Sequence, residues 1–239
     1  MTTRKEKVLN AIIKEHIATR APVGSSAIVE KYKLGVSSAT VRNIMASLEE
    51  DGYITQPYTS AGRIPTAGAY REYADKLEDA PLKKIEKRLK ASEKRAIDEV
   101  FAGQDRWELK LKKVAKILAG ASDVAVFWAF YQYNMYYTGI SNLLSQPEFA
   151  ERDLIFDISA IIDSMDDIIN ENFENFSEGP QIMIGEENPF GAFCGTVLSK
   201  YKINKRQGLF GILGPLRMDY KKDHALVTYV MSHLNAGKL

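Results

Sequence analysis

Two short helical periodicities lie four residues apart between Ser25 and Gly52, and that spacing constrains the fold more than any other feature of the chain. Ser25-Ser26-Ala27-Ile28-Val29-Glu30-Lys31-Tyr32 suffices for two helical turns, with Ser25 read as its N-cap. Lys33-Leu34-Gly35-Val36 is a tight turn with a glycine. Ser37 then caps a second helix, with Ala39, Val41, Ile44, Met45 and Leu48 assigned to its apolar side and Gly52 as its left-handed stop. Helices this short are marginal alone, so they must pack on something. Residues 4–19 supply it, because Val8, Leu9, Ile12, Ile13, His16 and Ile17 recur at helical spacing. Two short helices joined by a glycine turn form the helix-turn-helix signature.

With the apolar side turned inward, the residues left outward on the second helix are Ser38, Thr40, Arg42, Asn43, Ala46 and Ser47. This face is small and hydrogen-bonding, with one arginine. It suits the major groove, where Arg and Asn reach guanine and adenine edges. A strand at 53–57 and a polar tip at 58–63 read as a wing. Thr59, Ser60 and Arg63 are its candidate contacts, Arg63 to a minor groove or a phosphate. Ser25 and Ser26, at a helix start, and Ser37 complete the set that can meet phosphate. Small three-helix modules with a hairpin also serve as protein-interaction domains, and pattern alone leaves both classes open. A fourth helix follows from Thr66 to about Leu77, and Pro81 breaks the chain.

The net charge of +1 hides an asymmetry. Residues 1–75 carry 10 Lys/Arg against 8 Asp/Glu, 76–120 carry 13 against 8, and 121–239 carry 9 against 15. The front half can approach a polyanion, while the back half is repelled by one. Lys83 to Leu118 reads as a charged helical connector interrupted at Gly103. Beyond 121, apolar runs at 124–131, 133–137, 181–185, 195–201 and 208–213 read as strands, and 148–172 and 222–234 as helices. The expected class is therefore α+β. A winged helix-turn-helix spans 1–78, a connector that dimerises spans 79–120, and an α+β regulatory domain spans 121–239. The apolar runs are shorter than a membrane span needs, and the lone Cys194 fits a reducing cytoplasm.

Several segments resemble the heat-inducible transcription repressors of the HrcA type. In the front domain they are Val36-Ser37-Ser38-Ala39-Thr40-Val41-Arg42-Asn43-Ile44-Met45 and Gln56-Pro57-Tyr58-Thr59-Ser60-Ala61-Gly62-Arg63-Ile64-Pro65-Thr66. In the back domain they are Gly139-Ile140-Ser141-Asn142-Leu143-Leu144-Ser145-Gln146-Pro147-Glu148-Phe149, Ile184-Gly185-Glu186-Glu187-Asn188 and Gly211-Ile212-Leu213-Gly214-Pro215-Leu216-Arg217-Met218-Asp219-Tyr220. The resemblance implies repression of heat-shock chaperone operons by a homodimer on an inverted-repeat operator in double-stranded DNA. It also implies a GAF-like second domain and responsiveness to a GroE-type chaperonin. The chain departs from the family's pattern at Tyr58, where a histidine is expected, and at Leu216, where a polar residue is expected. Family members carry an inserted dimerising region, whereas here only residues 79–136 separate the matching blocks. The connector and the aromatic strands are therefore expected to take over pairing. The competing reading is a ligand-sensing winged-helix regulator of another regulon.

Enzyme chemistry is not expected, and neither a cofactor nor a metal is assigned. His16, His224 and His233 lack partners at ligand spacing. Gly208-Leu209-Phe210-Gly211-Ile212-Leu213-Gly214 lacks the Lys-Ser/Thr of a phosphate loop and reads as a glycine-marked buried strand. Arg217 and Asp219 are read either as an ion pair fixing a loop or as a regulatory contact to an effector or to the DNA-binding domain. Phe127, Trp128, Phe130, Tyr131, Tyr133, Tyr136 and Tyr137 form a core whose strand alternation would leave some rings outward, as a dimer or chaperonin surface.

Overall fold

The computed structural model describes residues 3–78, 84–85, 87–131, 134–150, 152–203 and 206–237. Pro81, Lys83 and Tyr133, named above, lie outside them. The chain divides into two compact units, Met1–Asp75 and Lys76–Leu239.

In the first unit, α1 (Thr3–Thr19), α2 (Ser25–Tyr32) and α3 (Ser38–Glu50) precede a two-stranded hairpin, β1 (Ile54–Thr55) and β2 (Ile64–Pro65), and then α4 (Ala67–Glu78). Val8, Leu9, Ile12 and Ile13 of α1 pack with Ile28, Val41, Met45, Leu48, Ile54 and Tyr70, all at most 5% exposed. Burial of each such side chain contributes about 1.5–3 kcal/mol, which holds helices that propensity alone would not. Polar ties reinforce the packing. Lys5 Nζ donates to the Ser47 hydroxyl at 2.7 Å and carbonyl at 3.0 Å and pairs with Asp51, locking α1 to α3. The buried Glu15 carboxylate accepts from Tyr32 Oη at 3.1 Å and pairs with Lys31 at 2.7 Å. Burial, with Glu15 next, pushes the Tyr32 phenol up to about 12.

Ser37 is the N-cap of α3, its hydroxyl accepting from Thr40 N at 3.1 Å, as expected. Two expectations need correction. Gly24, extended at φ −91°, is the N-cap of α2; Ser25 is its first helical residue and is buried. Ala39 is exposed rather than apolar-facing. The buried seam of α3 is Val41, Met45 and Leu48, and two residues back from Val41 is the opposite side of a 3.6-residue helix.

The second unit is built on one five-stranded antiparallel sheet in the order β4-β3-β7-β6-β5. The strands are β3 (Ala125–Tyr131), β4 (Asn134–Thr138), β5 (Gln181–Ile184), β6 (Cys194–Ile203) and β7 (Arg206–Pro215). Around it lie α5 (Ala91–Ala102), α6 (Trp107–Ser122), α7 (Ile140–Leu144), α8 (Arg152–Asp163), α9 (Met165–Asn172) and α10 (Tyr220–Asn235). One sheet face carries Ala125, Phe127, Leu198, Leu209 and Leu213 against Leu143, Ile158, Met165 and Ile169 of α7 to α9. On the other, Trp128 stacks on Phe210 with ring centroids 4.3 Å apart, and Phe130 meets Trp107 of α6 edge-on at 5.7 Å. Both faces are thus covered. Phe127, Trp128 and Phe130 are at most 3% exposed, so these three rings of β3 do not face solvent; Tyr137 on edge strand β4 is 49% exposed.

The stretch read as a connector supplies α5 and α6, with Gly103 as the C-cap of α5, and both pack within the second unit. This changes the charge argument. Lys76–Leu239 carries 22 Lys/Arg and 23 Asp/Glu, so the basic excess of residues 76–120 offsets the acidic excess beyond them within one unit. Repulsion from DNA does not follow for the unit as a whole.

Candidate nucleic-acid interface

Helical geometry turns Ala39, Asn43 and Ala46 to the centre of the outward side of α3, with Arg42 on its flank; all four are exposed. Small residues beside one arginine and one asparagine let the backbone of a helix approach base edges closely. Thr40 is half-buried, its hydroxyl 2.9 Å from that of Ser37. Ser47, expected outward, is taken up by Lys5. Glu50 shares the outward side but lies at the far end, and a recognition helix reads with its N-terminal residues.

The starts of α2 and α3 meet. Ser25 Oγ lies 3.0 Å and Ser26 Oγ 3.5 Å from Ser38 Oγ, so these hydroxyls gather where two helices present unsatisfied N–H groups. Of the two serines on α2, Ser26 is the exposed one.

The hairpin is braced at its base. Val23 and Arg63 exchange backbone hydrogen bonds at 2.9 Å in both directions, adding an isolated bridge to β1–β2. A Cβ on Gly62 would stand 2.6 Å from the Val23 carbonyl, so glycine here permits the close approach of the protein's own backbone. Arg63 Nε donates to Glu49 Oε2 of α3 at 2.9 Å. The arginine expected at DNA is therefore engaged with a carboxylate, and nothing in the local sequence signals Glu49 as its partner. Thr59 and Ser60 are exposed at the tip, as is Tyr58.

In the second unit, Arg217 is 6% exposed and forks onto Glu148, with Nη2 2.9 Å from Oε2, and also donates to Gln146 Oε1 at 3.0 Å. Its partner is Glu148 and not Asp219. Asp219 instead caps α10, accepting from Lys222 N at 3.2 Å. Gln146 in turn donates to the Asp123 carbonyl at 2.7 Å. Cys194 is fully buried, which pushes its thiol up to about 12 and leaves it inert at neutral pH.

The family profile described as HrcA protein C terminal domain matches residues 69–223, more than half of the chain. The chain belongs to the HrcA family. It is 47% identical over 116 residues to the heat-inducible transcription repressor HrcA of Mycobacterium leprae, covering 48% of this chain and 32% of that protein. To the HrcA repressor of Mycobacterium sp. strain KMS it is 56% identical over 86 residues, 36% of this chain and 25% of that one. The matches thus span about a third or less of these relatives' own length. Both are named as transcription repressors, the class expected from the motifs. The crystal structure of a hypothetical protein superposes with a TM-score of 0.77 over 99% of this chain and 98% of that one, at 19% identity, a likeness of fold alone. Among the described residues, no helix is long and apolar enough to cross a membrane.

Proposed function

We propose that this chain is a heat-inducible transcription repressor that binds an inverted-repeat operator as a homodimer. Its first unit is a winged helix-turn-helix and its second a GAF-like regulatory domain. The observation that carries this reading is the outward side of α3, where Arg42 and Asn43 flank small residues next to a capped N-terminus. Ser26, Ser37 and Ser38 hold backbone phosphate at the two helix starts, and Thr59 and Ser60 follow it from the wing. In this proposal the repressor acts in the cytoplasm, and its second unit takes a GroE-type chaperonin as partner, an expectation that rests on the sequence resemblance. Pairing belongs to that unit, where Tyr137, Ile155 and Phe156 remain exposed at 39% or more. For the ligand-sensing alternative, Phe127, Phe149 and Phe190, at most 1% exposed, fill the layer between the sheet and α7 to α9. A sensed ligand would sit instead in the cavity of about 510 Å³ lined by Lys200, Tyr201 and Gln207 of the sheet and by Thr228 and Met231 of α10.

Arg42→Ala tests the reader. Fluorescence anisotropy on a duplex recovered by selection should show a loss of about 1–3 kcal/mol and relaxed preference at one position of each half-site. An unchanged base preference would remove α3 as the reading helix.

A further inference from the structure

The wing has a base and a tip of different chemistry. At the base, Arg63 is held by two backbone bonds to Val23 and by its ion pair with Glu49, and Gly62 lets the backbone pack close against Val23. Its charge is already matched where it stands. Moving it to a phosphate would strip Glu49 of its partner and place that carboxylate near the polyanion. At the tip, Tyr58 is 66% exposed, a large ring left in solvent. The turn under it is braced. Ala61 N donates to the Tyr58 carbonyl at 3.0 Å, Gln56 Nε2 donates to the Ala61 carbonyl at 3.1 Å, and Ser60 takes the left-handed conformation at φ 72°. A phenol on a fixed turn gives up little freedom on binding and carries both a hydrogen-bond donor and an apolar face.

We infer that Tyr58, and not Arg63, joins Thr59 and Ser60 in the wing's contact with DNA, its hydroxyl donating to a backbone phosphate, while the Glu49–Arg63 pair is a positioning device that sets the wing against α3. This rests on the assignment of the first unit as a DNA reader. The geometry gives the two groups opposite signatures. Tyr58 carries no charge, so its loss weakens binding without changing the number of counterions released; a phosphate-bound arginine would change that number by about one.

The test uses the full chain, a mixed-sequence 30-base-pair duplex and a salt titration. Tyr58→Phe and Tyr58→Ala should each bind about tenfold more weakly, with an unchanged slope of log affinity against log salt. Arg63→Gln and Glu49→Gln should lower the melting temperature of the free protein and leave that slope unchanged. Wild-type affinity in Tyr58→Phe overturns the inference, because the hydroxyl is the group assigned to phosphate. So does a slope reduced by about one in Arg63→Gln. Should Arg63→Gln fail to fold, the two Tyr58 variants, altered at an exposed position, still decide. If Arg42→Ala loses base preference while the Tyr58 variants bind as wild type, this inference fails and the DNA reading stands. If the wild-type chain binds no duplex, both fail.

Discussion

Between pH 6.5 and pH 8 the protein is expected to lose about 2 kcal/mol of stability, and Asp223→Asn is expected to abolish the loss. Asp223 on α10 is 2% exposed. Burial pushes its carboxyl up to about 8; the Ser122 hydroxyl and Lys222 oppose that rise, while Asp219 and Glu93 add to it. A folded-state value above the unfolded one means that the folded protein holds a proton the unfolded chain has released. Stability from this group is complete below the unfolded value near 3.8 and declines as pH rises through about 8, at roughly 1.4 kcal/mol per pH unit. His224 beside it works the other way. Burial, assisted by Arg88, pulls its imidazole down to about 4 from 6.5, so its contribution is present above 6.5 and lost as pH falls towards 4. The two slopes offset one another between 4 and 6.5 and leave Asp223 alone above that window. Urea melts followed by tryptophan fluorescence at pH 6.5, 7.25 and 8 give the slope directly. A wild-type midpoint as flat with pH as that of Asp223→Asn would mean that the carboxyl ionises freely in the fold.

Gly208→Ala is expected to cost about 3–4 kcal/mol, a fall of roughly 10 °C in the melting temperature of the second unit. A Cβ at this position on β7 would stand 2.4 Å from the Ala129 carbonyl oxygen of β3 and 2.3 Å from Tyr201 Oη. Rotamer change cannot relieve a clash with backbone. The tyrosine is also fixed, because its hydroxyl donates to that same Ala129 carbonyl at 3.0 Å while its ring packs on Trp128. Relief would require β3 and β7 to separate at the centre of the sheet, next to the Trp128–Phe210 stack. Differential scanning calorimetry on the purified variant measures the shift, and a fall below about 2 °C would contradict the packing described.

Local features of the fold were legible because their causes are local. The α2 helix runs over Ser25–Tyr32 as its periodicity indicates, Ser37 caps α3, Gly52 stops it with φ +78°, and Gly208 to Gly214 lie in a buried strand. Pairings that depend on distant residues were not. Arg217 and Asp219 are two residues apart and read naturally as a pair, but the arginine's partner Glu148 is 69 residues away, and charge alone carries no register. That clamp joins two of the family's signature segments, Gly139 to Phe149 and Gly211 to Tyr220, so their resemblance has a structural basis besides any regulatory one. The layer to which α5 and α6 belong was equally hidden. An amphipathic helix shows that one side is covered, without showing what covers it. For the same reason the alternation along β3 and β4, read as leaving part of the aromatic cluster outward, could not show that Phe127, Trp128 and Phe130 are covered while Tyr137 is exposed. On α3, the exposure of Arg42 and Asn43 was visible from helical phase alone. The engagement of Arg63 by Glu49 was not, since it depends on where the hairpin folds back against α3.

Selection of DNA from a random duplex pool by the intact chain tests the central claim most directly. The expected result is one inverted repeat whose half-site centres lie about one helical turn apart, roughly 34–36 Å, because two α3 helices related by a dyad can engage one face of the duplex only at that spacing or a multiple of it. Recovery of no enriched sequence, or of a single unrepeated site bound by one chain, would contradict it.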